Sequence, residues 1–136
     1  MSPRTKHNLM TAIECDALDA AKYSRFAALA RMDDHWDLAQ AFQETADLDR
    51  TQHFAKEAEL EGLIASSPEN LRNGIDTEMK EVKMYAQFAR EATEDGDLQI
   101  SAVFQRISRD KAERCARFEA VLGEMGLHSS IRTLRA

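Results

Sequence analysis

The chain has 136 residues, 43% of them hydrophobic, and its 18 Lys and Arg against 24 Asp and Glu give a net charge of −6. That length suits one domain with a true core. The acidic balance argues against a nucleic-acid partner, and no apolar run reaches the about 18 residues needed to span a bilayer. The two cysteines, Cys15 and Cys115, exclude a disulfide scaffold and a four-cysteine iron site. Because the N-terminus also lacks the apolar segment of a secretory signal, we expect a cytoplasmic protein.

Helix-forming residues dominate the chain, and apolar residues recur every three or four positions in four long segments. The predicted helices cover residues 7–31, 36–64, 68–93 and 98–125. Ser67 is the expected N-cap of the third helix, with Pro68 in its first position, and Gly126 is the expected end of the fourth. The short turns at 33–35 and 94–97 each join antiparallel neighbours. The pattern predicts an all-α antiparallel four-helix bundle over residues 1–126 and a loosely attached tail over 127–136.

The second half of the chain repeats the first at an offset of 62 residues. The aligned pairs include Asn8-Leu9 with Asn70-Leu71, Tyr23 with Tyr85, Phe26-Ala27 with Phe88-Ala89, and Phe42-Gln43 with Phe104-Gln105. The chain therefore reads as two repeated helical hairpins. A site on the pseudo-twofold axis of such a bundle would draw similar groups from both halves.

Polar side chains interrupt the apolar stripes near the middle of each helix. They are Asp16 on the first helix, and i, i+3 pairs on the other three: Asp49 with Gln52, Glu78 with Glu81, and Lys111 with Arg114. Residues three apart share a helix face, so we expect these seven groups to converge at mid-height in the bundle. Asp19, which aligns with Glu81, is an eighth candidate. The charged run over 57–61 is expected to form an exposed face.

In this pattern the chain resembles the ferritin-like di-iron domain of the rubrerythrin family, over residues 7–125. Each half carries Asn-Leu, then a carboxylate, then Tyr-x-x-Phe-Ala, and later an aliphatic residue followed by Phe four positions on. The matching residues are Asn8-Leu9, Asp16, Tyr23-Ser24-Arg25-Phe26-Ala27 and Leu38 with Phe42, then Asn70-Leu71, Glu78, Tyr85-Ala86-Gln87-Phe88-Ala89 and Ile100 with Phe104. The resemblance implies a ferritin-like bundle. It also implies two irons, held by Glu from all four helices and Glu-x-x-His on the second and fourth, and peroxide reduction with electrons from a rubredoxin partner.

The ligand set that the resemblance implies matches this sequence only in part. Glu78 and Glu81 match the third-helix ligands, and Asp16 replaces the first-helix Glu with a side chain one methylene shorter. Lys111 and Arg114 stand where the fourth-helix Glu-x-x-His is expected. Ammonium and guanidinium groups donate hydrogen bonds and offer no lone pair to a metal at neutral pH. No ligand chemistry survives on the fourth helix.

On the second helix, Asp49 and Gln52 stand where the resemblance implies Glu-x-x-His. His53 comes one residue late, about 100° round a regular α-helix. Asp49 and His53 could bind zinc, although a His four residues from an Asp is more often a simple hydrogen-bonded pair. We therefore place Gln52, and not His53, among the seven groups.

The fixed charges of Lys111 and Arg114 offset two of the four carboxylate charges in the predicted cluster. Internal salt bridges can then take over the role of metal charge. The leading hypothesis is a protein with no cofactor and a degenerate di-iron site, acting through protein association. The alternative is a redox or metal-storage protein that holds iron or another divalent metal on Asp16, Asp49, Glu78 and Glu81. Whether the protein is an enzyme stays open, and only the metal-bound form would need an external redox partner.

Several large apolar residues fall outside the predicted core stripes. They are Leu18, Leu29, Met32 and Trp36. These residues exceed what four helices need internally, and the resemblance implies side-by-side pairing of such domains. We therefore expect a homodimer.

Overall fold

The computed structural model describes residues 1–126, and this part of the chain contains helices and no strand. The elements in chain order are α1 (Pro3–Met32), α2 (Trp36–Leu48), a π-helix (Asp49–Phe54), α3 (Ala55–Glu61), α4 (Ser67–Glu94) and α5 (Leu98–Glu124). The predicted all-α class is confirmed. The predicted tail, 127–136, lies outside the described residues.

Side-chain caps set where α1 and α4 begin. The Ser2 hydroxyl accepts a hydrogen bond from the Thr5 N–H, so α1 starts earlier than predicted. At α4, the Ser66 hydroxyl accepts from the Glu69 N–H while the Glu69 carboxylate accepts from the Ser66 N–H. The prediction of Ser67 as the cap was wrong by one residue, because this reciprocal pair needs the Glu three positions after the cap.

The predicted second helix is continuous but not uniform. It is α-helical to Leu48, π-helical over Asp49–Phe54 and α-helical again to Glu61, where Gly62 ends it in the left-handed region at φ 79°. A π-helix bonds each carbonyl to the N–H five residues on, so its turns are wider than those of an α-helix. It absorbs an extra residue without breaking the helix.

The chain divides into two compact units, residues 1–64 and the part from 65 onward. In the first, here the N-terminal hairpin, α1 packs along α2, the π-helix and α3. In the second, here the C-terminal hairpin, α4 packs along α5. No helix among residues 1–126 combines the length and the apolar sequence needed to cross a membrane.

The same aromatic triangle joins the two helices of each hairpin. Ring centroids are 5.4–6.1 Å apart in the N-terminal triangle and 5.7–5.9 Å apart in the C-terminal one. The rings belong to Tyr23, Phe26 and Phe42, and to Tyr85, Phe88 and Phe104. Such pairs add about 0.5–1.5 kcal/mol beyond the apolar area they bury. Because these residues align under the 62-residue offset, the repeat in sequence is also a repeat in structure.

Candidate metal centre and ion-pair network

In the C-terminal hairpin, α4 and α5 bring two carboxylates against two basic side chains. Lys111 Nζ lies 2.8 Å from Glu81 Oε2 and 3.3 Å from Glu78 Oε2. Arg114 Nη1 lies 3.4 Å from Glu78 Oε1. These contacts follow from the i, i+3 spacing of both pairs, which sets each pair on one face of a regular α-helix. Lys111 and Arg114 therefore neutralise the charges of Glu78 and Glu81 within the C-terminal hairpin.

Lys111 is held firmly as a cation. Its side chain is only 15% exposed. The hydrogen bond to Glu81 raises the pKa of Lys111 above its usual value. Burial lowers this pKa, but the hydrogen bond and the negative charge of Glu78 raise it further. The ammonium also lies 5.8 Å from the centroid of the Tyr85 ring, a favourable cation–π distance. A metal ion shared by Glu78 and Glu81 would compete with this ammonium for both carboxylates.

The N-terminal hairpin holds a different cluster, formed by Asp16 on α1 and by Asp49 and His53 on the π-helix. His53 Nδ1 lies 3.1 Å from Asp49 Oδ1 and 3.8 Å from Asp16 Oδ1. One potential ligand atom from each residue lies within 4.8 Å of the others. The Asp49 side chain is 12% exposed, whereas that of His53 is 51% exposed. The cluster is thus buried at Asp49 and accessible to solvent at His53.

The structure places His53 in this cluster and leaves Gln52 outside it. His53 follows Asp49 by four residues, a spacing at which side chains are neighbours on a regular α-helix, and the two remain in contact within the π-helix. Gln52 is exposed. The available signal was the one extra residue between Asp49 and His53, since π-bulges arise from such insertions and occur frequently at functional sites.

Glu57 lies beside Asp16 at the edge of the cluster, and the sequence had predicted an exposed face for residues 57–61. It lies in the first turn of α3, four residues after His53, and its side chain is mostly covered. A hydrogen bond between its carboxyl and Asp16 raises the pKa of Glu57 to about 7. Burial and the negative charge of Asp16 act in the same direction, whereas the positive charge of His53 lowers this pKa by less. Glu57 Oε1 is buried and has no hydrogen-bond partner among the described residues.

The structure thus sorts the predicted site residues by hairpin. Asp16 and Asp49 meet His53, with Glu57 beside Asp16, whereas Glu78 and Glu81 meet Lys111 and Arg114. The chemistry differs accordingly: the first group is rich in acceptors, and the second is an internally balanced set of ion pairs. Convergence of all seven predicted groups on one centre stays a prediction.

No family model matches the sequence. It is 30% identical over 135 residues to the protein named Rubrerythrin of Porphyromonas gingivalis, covering 90% of this chain and 68% of that protein. It is 31% identical over 118 residues to the protein named Rubrerythrin of Nitratidesulfovibrio vulgaris, covering 77% of this chain and 62% of that protein. The chain thus spans roughly two thirds of the length of these relatives. On this similarity over most of its length, the chain belongs to the rubrerythrin family.

Proposed function

We propose that this rubrerythrin-family chain does not assemble a di-iron peroxidase centre. Its C-terminal hairpin has exchanged metal ligation for an internal ion-pair network, and the protein works as a helical bundle through association, first with copies of itself. The observation that carries the proposal is the position of Lys111, whose ammonium lies 2.8 Å from Glu81 and 3.3 Å from Glu78. A positive charge fixed in that position competes directly with a metal for both carboxylates.

The donor sets of the two hairpins support an asymmetric site. In the C-terminal hairpin the positions that would complete a ligand set carry Lys111 and Arg114, so the residues there do not fit a metal. In the N-terminal hairpin, two carboxylates and one imidazole fit a divalent ion of the Mn, Fe, Co or Zn type.

The donor set of the N-terminal hairpin favours a second candidate function, binding of a single divalent cation. Asp16, Asp49 and His53 would hold it, in place of the four carboxylates proposed from the sequence. An ion bound there would supply Lewis acidity or one-electron chemistry. The chain's own residues would supply the negative charge, and the 51% exposure of the His53 side chain would leave the ion accessible from solvent.

Metal content tests the proposal and separates the two candidates. The protein purified from an iron-replete host should carry well under two irons per chain and show no oxo-bridge absorption. A content near two, lost in the Glu78→Gln/Glu81→Gln variant, would contradict the proposal. A content near one, lost in Asp49→Asn and retained in Glu78→Gln/Glu81→Gln, would favour the single-cation candidate.

A gain-of-ligand variant tests the role of the ion pairs directly. Lys111→Glu/Arg114→His removes both cations and restores carboxylate and imidazole donors on α5. It should bind more ferrous ion than the wild-type chain, and ferrous ion should raise its melting temperature, because a ligand that binds only the native state stabilises it. The control is Lys80→Glu/Arg106→His, which makes the same charge change at two exposed positions of the same hairpin. Equal iron binding by both variants would contradict the proposed role of the ion pairs.

A further inference from the structure

A groove between α4 and α5 forms a cavity of about 520 Å³ on one side of the C-terminal hairpin. That volume lies within the range of about 300–1,000 Å³ that is typical of small-molecule sites. Ala86 and Ala89 of α4 supply apolar surface to the cavity, and Arg90 and Arg109 line it from α4 and α5 respectively. The cavity shares no lining residue with the ion-pair network, so it is a separate feature of this hairpin.

Two serine hydroxyls of α5 hold the helices together along this cavity. Ser108 Oγ donates a hydrogen bond to the Val82 carbonyl at 2.9 Å, and Ser101 Oγ donates one to the Ala89 carbonyl at 2.8 Å. The two bonds are seven residues apart on each helix, so they bracket about two turns of the groove. Direct contacts between α4 and α5 therefore shape the cavity within the C-terminal hairpin.

The two arginines of the cavity have no counter-ion. Neither guanidinium forms an ion pair with a carboxylate of residues 1–126. Arg90 and Arg109 lie near opposite ends of the bracketed stretch, and the Cα–Cβ bond of each tilts towards the N-terminus of its own helix. Because α4 and α5 run antiparallel, the two side chains lean towards each other. Glu94 is the one carboxylate among the lining residues, so the cavity has a net positive charge in a chain whose net charge is −6.

The internal repeat shows that these charges are specific to the C-terminal hairpin. At the offset of 62 residues, Arg90 aligns with Ala28, and Arg109 aligns with Asp47. The two serines that bridge α4 and α5 align with buried alanines. The N-terminal hairpin thus packs its helices with neither positive charge and neither hydroxyl bridge at these positions. Packing of such a hairpin does not require either arginine.

We propose that this cavity binds a small molecule that carries a carboxylate or phosphate group on an apolar body. Guanidinium groups pair with the oxygens of both groups through two parallel N–H···O hydrogen bonds. Arg90 and Arg109 would hold the anionic group, and Ala86 and Ala89 would contact the apolar body. This binding site is independent of any metal held by the N-terminal hairpin.

NMR titration of the full chain, labelled with ¹⁵N, tests the inference with three compounds of equal chain length: octanoate, octyl phosphate and the neutral octanol. The anions should shift the amide resonances of the cavity residues and bind at least about five-fold more tightly than octanol. Arg90→Gln/Arg109→Gln should weaken anion binding by about ten-fold or more and leave octanol binding unchanged. The control Arg106→Gln/Arg117→Gln removes the same charge from two exposed positions of α5 outside the cavity, and it should match wild type.

Three results would overturn the inference. Failure of wild type to bind either anion saturably would show that the cavity takes no such ligand. Octanol binding as tight as that of the anions would show that the arginines do not recognise the charged group. Equal loss of anion binding in the two double variants would show that the net charge of the chain, and not the pair Arg90 and Arg109, attracts the anions. Binding of one anion alone would support the inference and identify which of the two groups the site takes.

Discussion

Lys111 shows how a single side chain decides the chemistry of its hairpin. It lies between two carboxylates that would otherwise be free to repel each other or to bind cations. Removing one partner of a buried ion pair is far more costly than replacing the whole pair by apolar groups, because an uncompensated charge is left behind. The stability of the C-terminal hairpin should therefore depend on this residue.

Lys111→Met should lower the free energy of unfolding by about 3 kcal/mol at pH 7, near the lower end for breaking a buried pair because Glu81 stays 34% exposed. Below about pH 5 the loss should shrink, since the stranded carboxylates can take up protons. It should also shrink at strongly alkaline pH: the wild-type contribution is complete below the ordinary lysine pKa of 10.5 and is lost as pH rises through the raised value. Urea unfolding across pH measures this, with the exposed Lys80→Met as control. A neutral effect at pH 7 would contradict the role given to Lys111.

Glu57 should make the metal-free protein less stable as pH rises. Its folded-state pKa of about 7 lies above its ordinary value of 4.5, mainly because it hydrogen-bonds Asp16 when protonated. Between these values the folded chain binds a proton that the unfolded chain releases, so raising the pH through this window lowers stability. Glu57→Gln removes the titration and keeps a donor towards Asp16. It should be more stable than wild type at pH 8 and should lose this advantage towards pH 5 in urea unfolding. An advantage that does not change with pH would contradict this assignment.

At the scale of the element, the π-helix over Asp49–Phe54 is the feature that shapes the site. One extra residue is absorbed in a wider turn, and the helix continues on both sides in the direction of the hairpin. His53 lies beside Asp49, and Glu57 follows one turn further along the continuous helix. The altered spacing of the motif is thereby compensated by backbone geometry.

Deleting Gln52 should therefore be tolerated. The shortened segment can form a regular α-helix in which the imidazole follows Asp49 by three residues, on the same face. We expect a melting temperature equal to or above that of wild type, and retained contact between the imidazole and Asp49 by NMR. Deletion of Ala112 from the regular helix α5 is the control; it should be destabilising, because it rotates all later residues of α5 by about 100°. Similar losses for both deletions would contradict this account of the π-helix.

At the scale of the whole molecule, membership of the rubrerythrin family implies that this all-α chain forms a ferritin-like helical bundle, as the resemblance predicted. Leu18, Leu29, Met32 and Trp36 are each more than half exposed in the single chain. Large apolar side chains that are this exposed gain free energy when association buries them. From these exposed residues we expect a homodimer.

Sedimentation at micromolar concentration should therefore give twice the chain mass of 15.4 kDa. Leu29→Ser/Trp36→Ser should shift the mass towards that of the single chain, because the apolar surface that drives association is lost. Lys80→Ser/Arg106→Ser, which alters exposed charged positions only, should leave the dimer intact. A wild-type mass of 15.4 kDa would contradict the prediction.

The amino-acid sequence by itself determined the helical class, the repeat and the ion pairs of the C-terminal hairpin. Each of these depends on regular α-helical spacing: apolar stripes identify helices, and i, i+3 pairs such as Glu78 with Glu81 and Lys111 with Arg114 share a face wherever the helix is regular. The aromatic triangles around Tyr23 and Tyr85 follow from the same periodicity.

Only the tertiary structure decided the membership of the N-terminal cluster. His53 belongs to it because the packing of α1 brings Asp16 to the face that His53 shares with Asp49, whereas Gln52 is exposed. Glu57 lies beside Asp16 because α1 packs against α3 and brings together two residues far apart in the chain. Helix spacing predicts which side chains share a face, but the packing of one helix on another decides which of them meet.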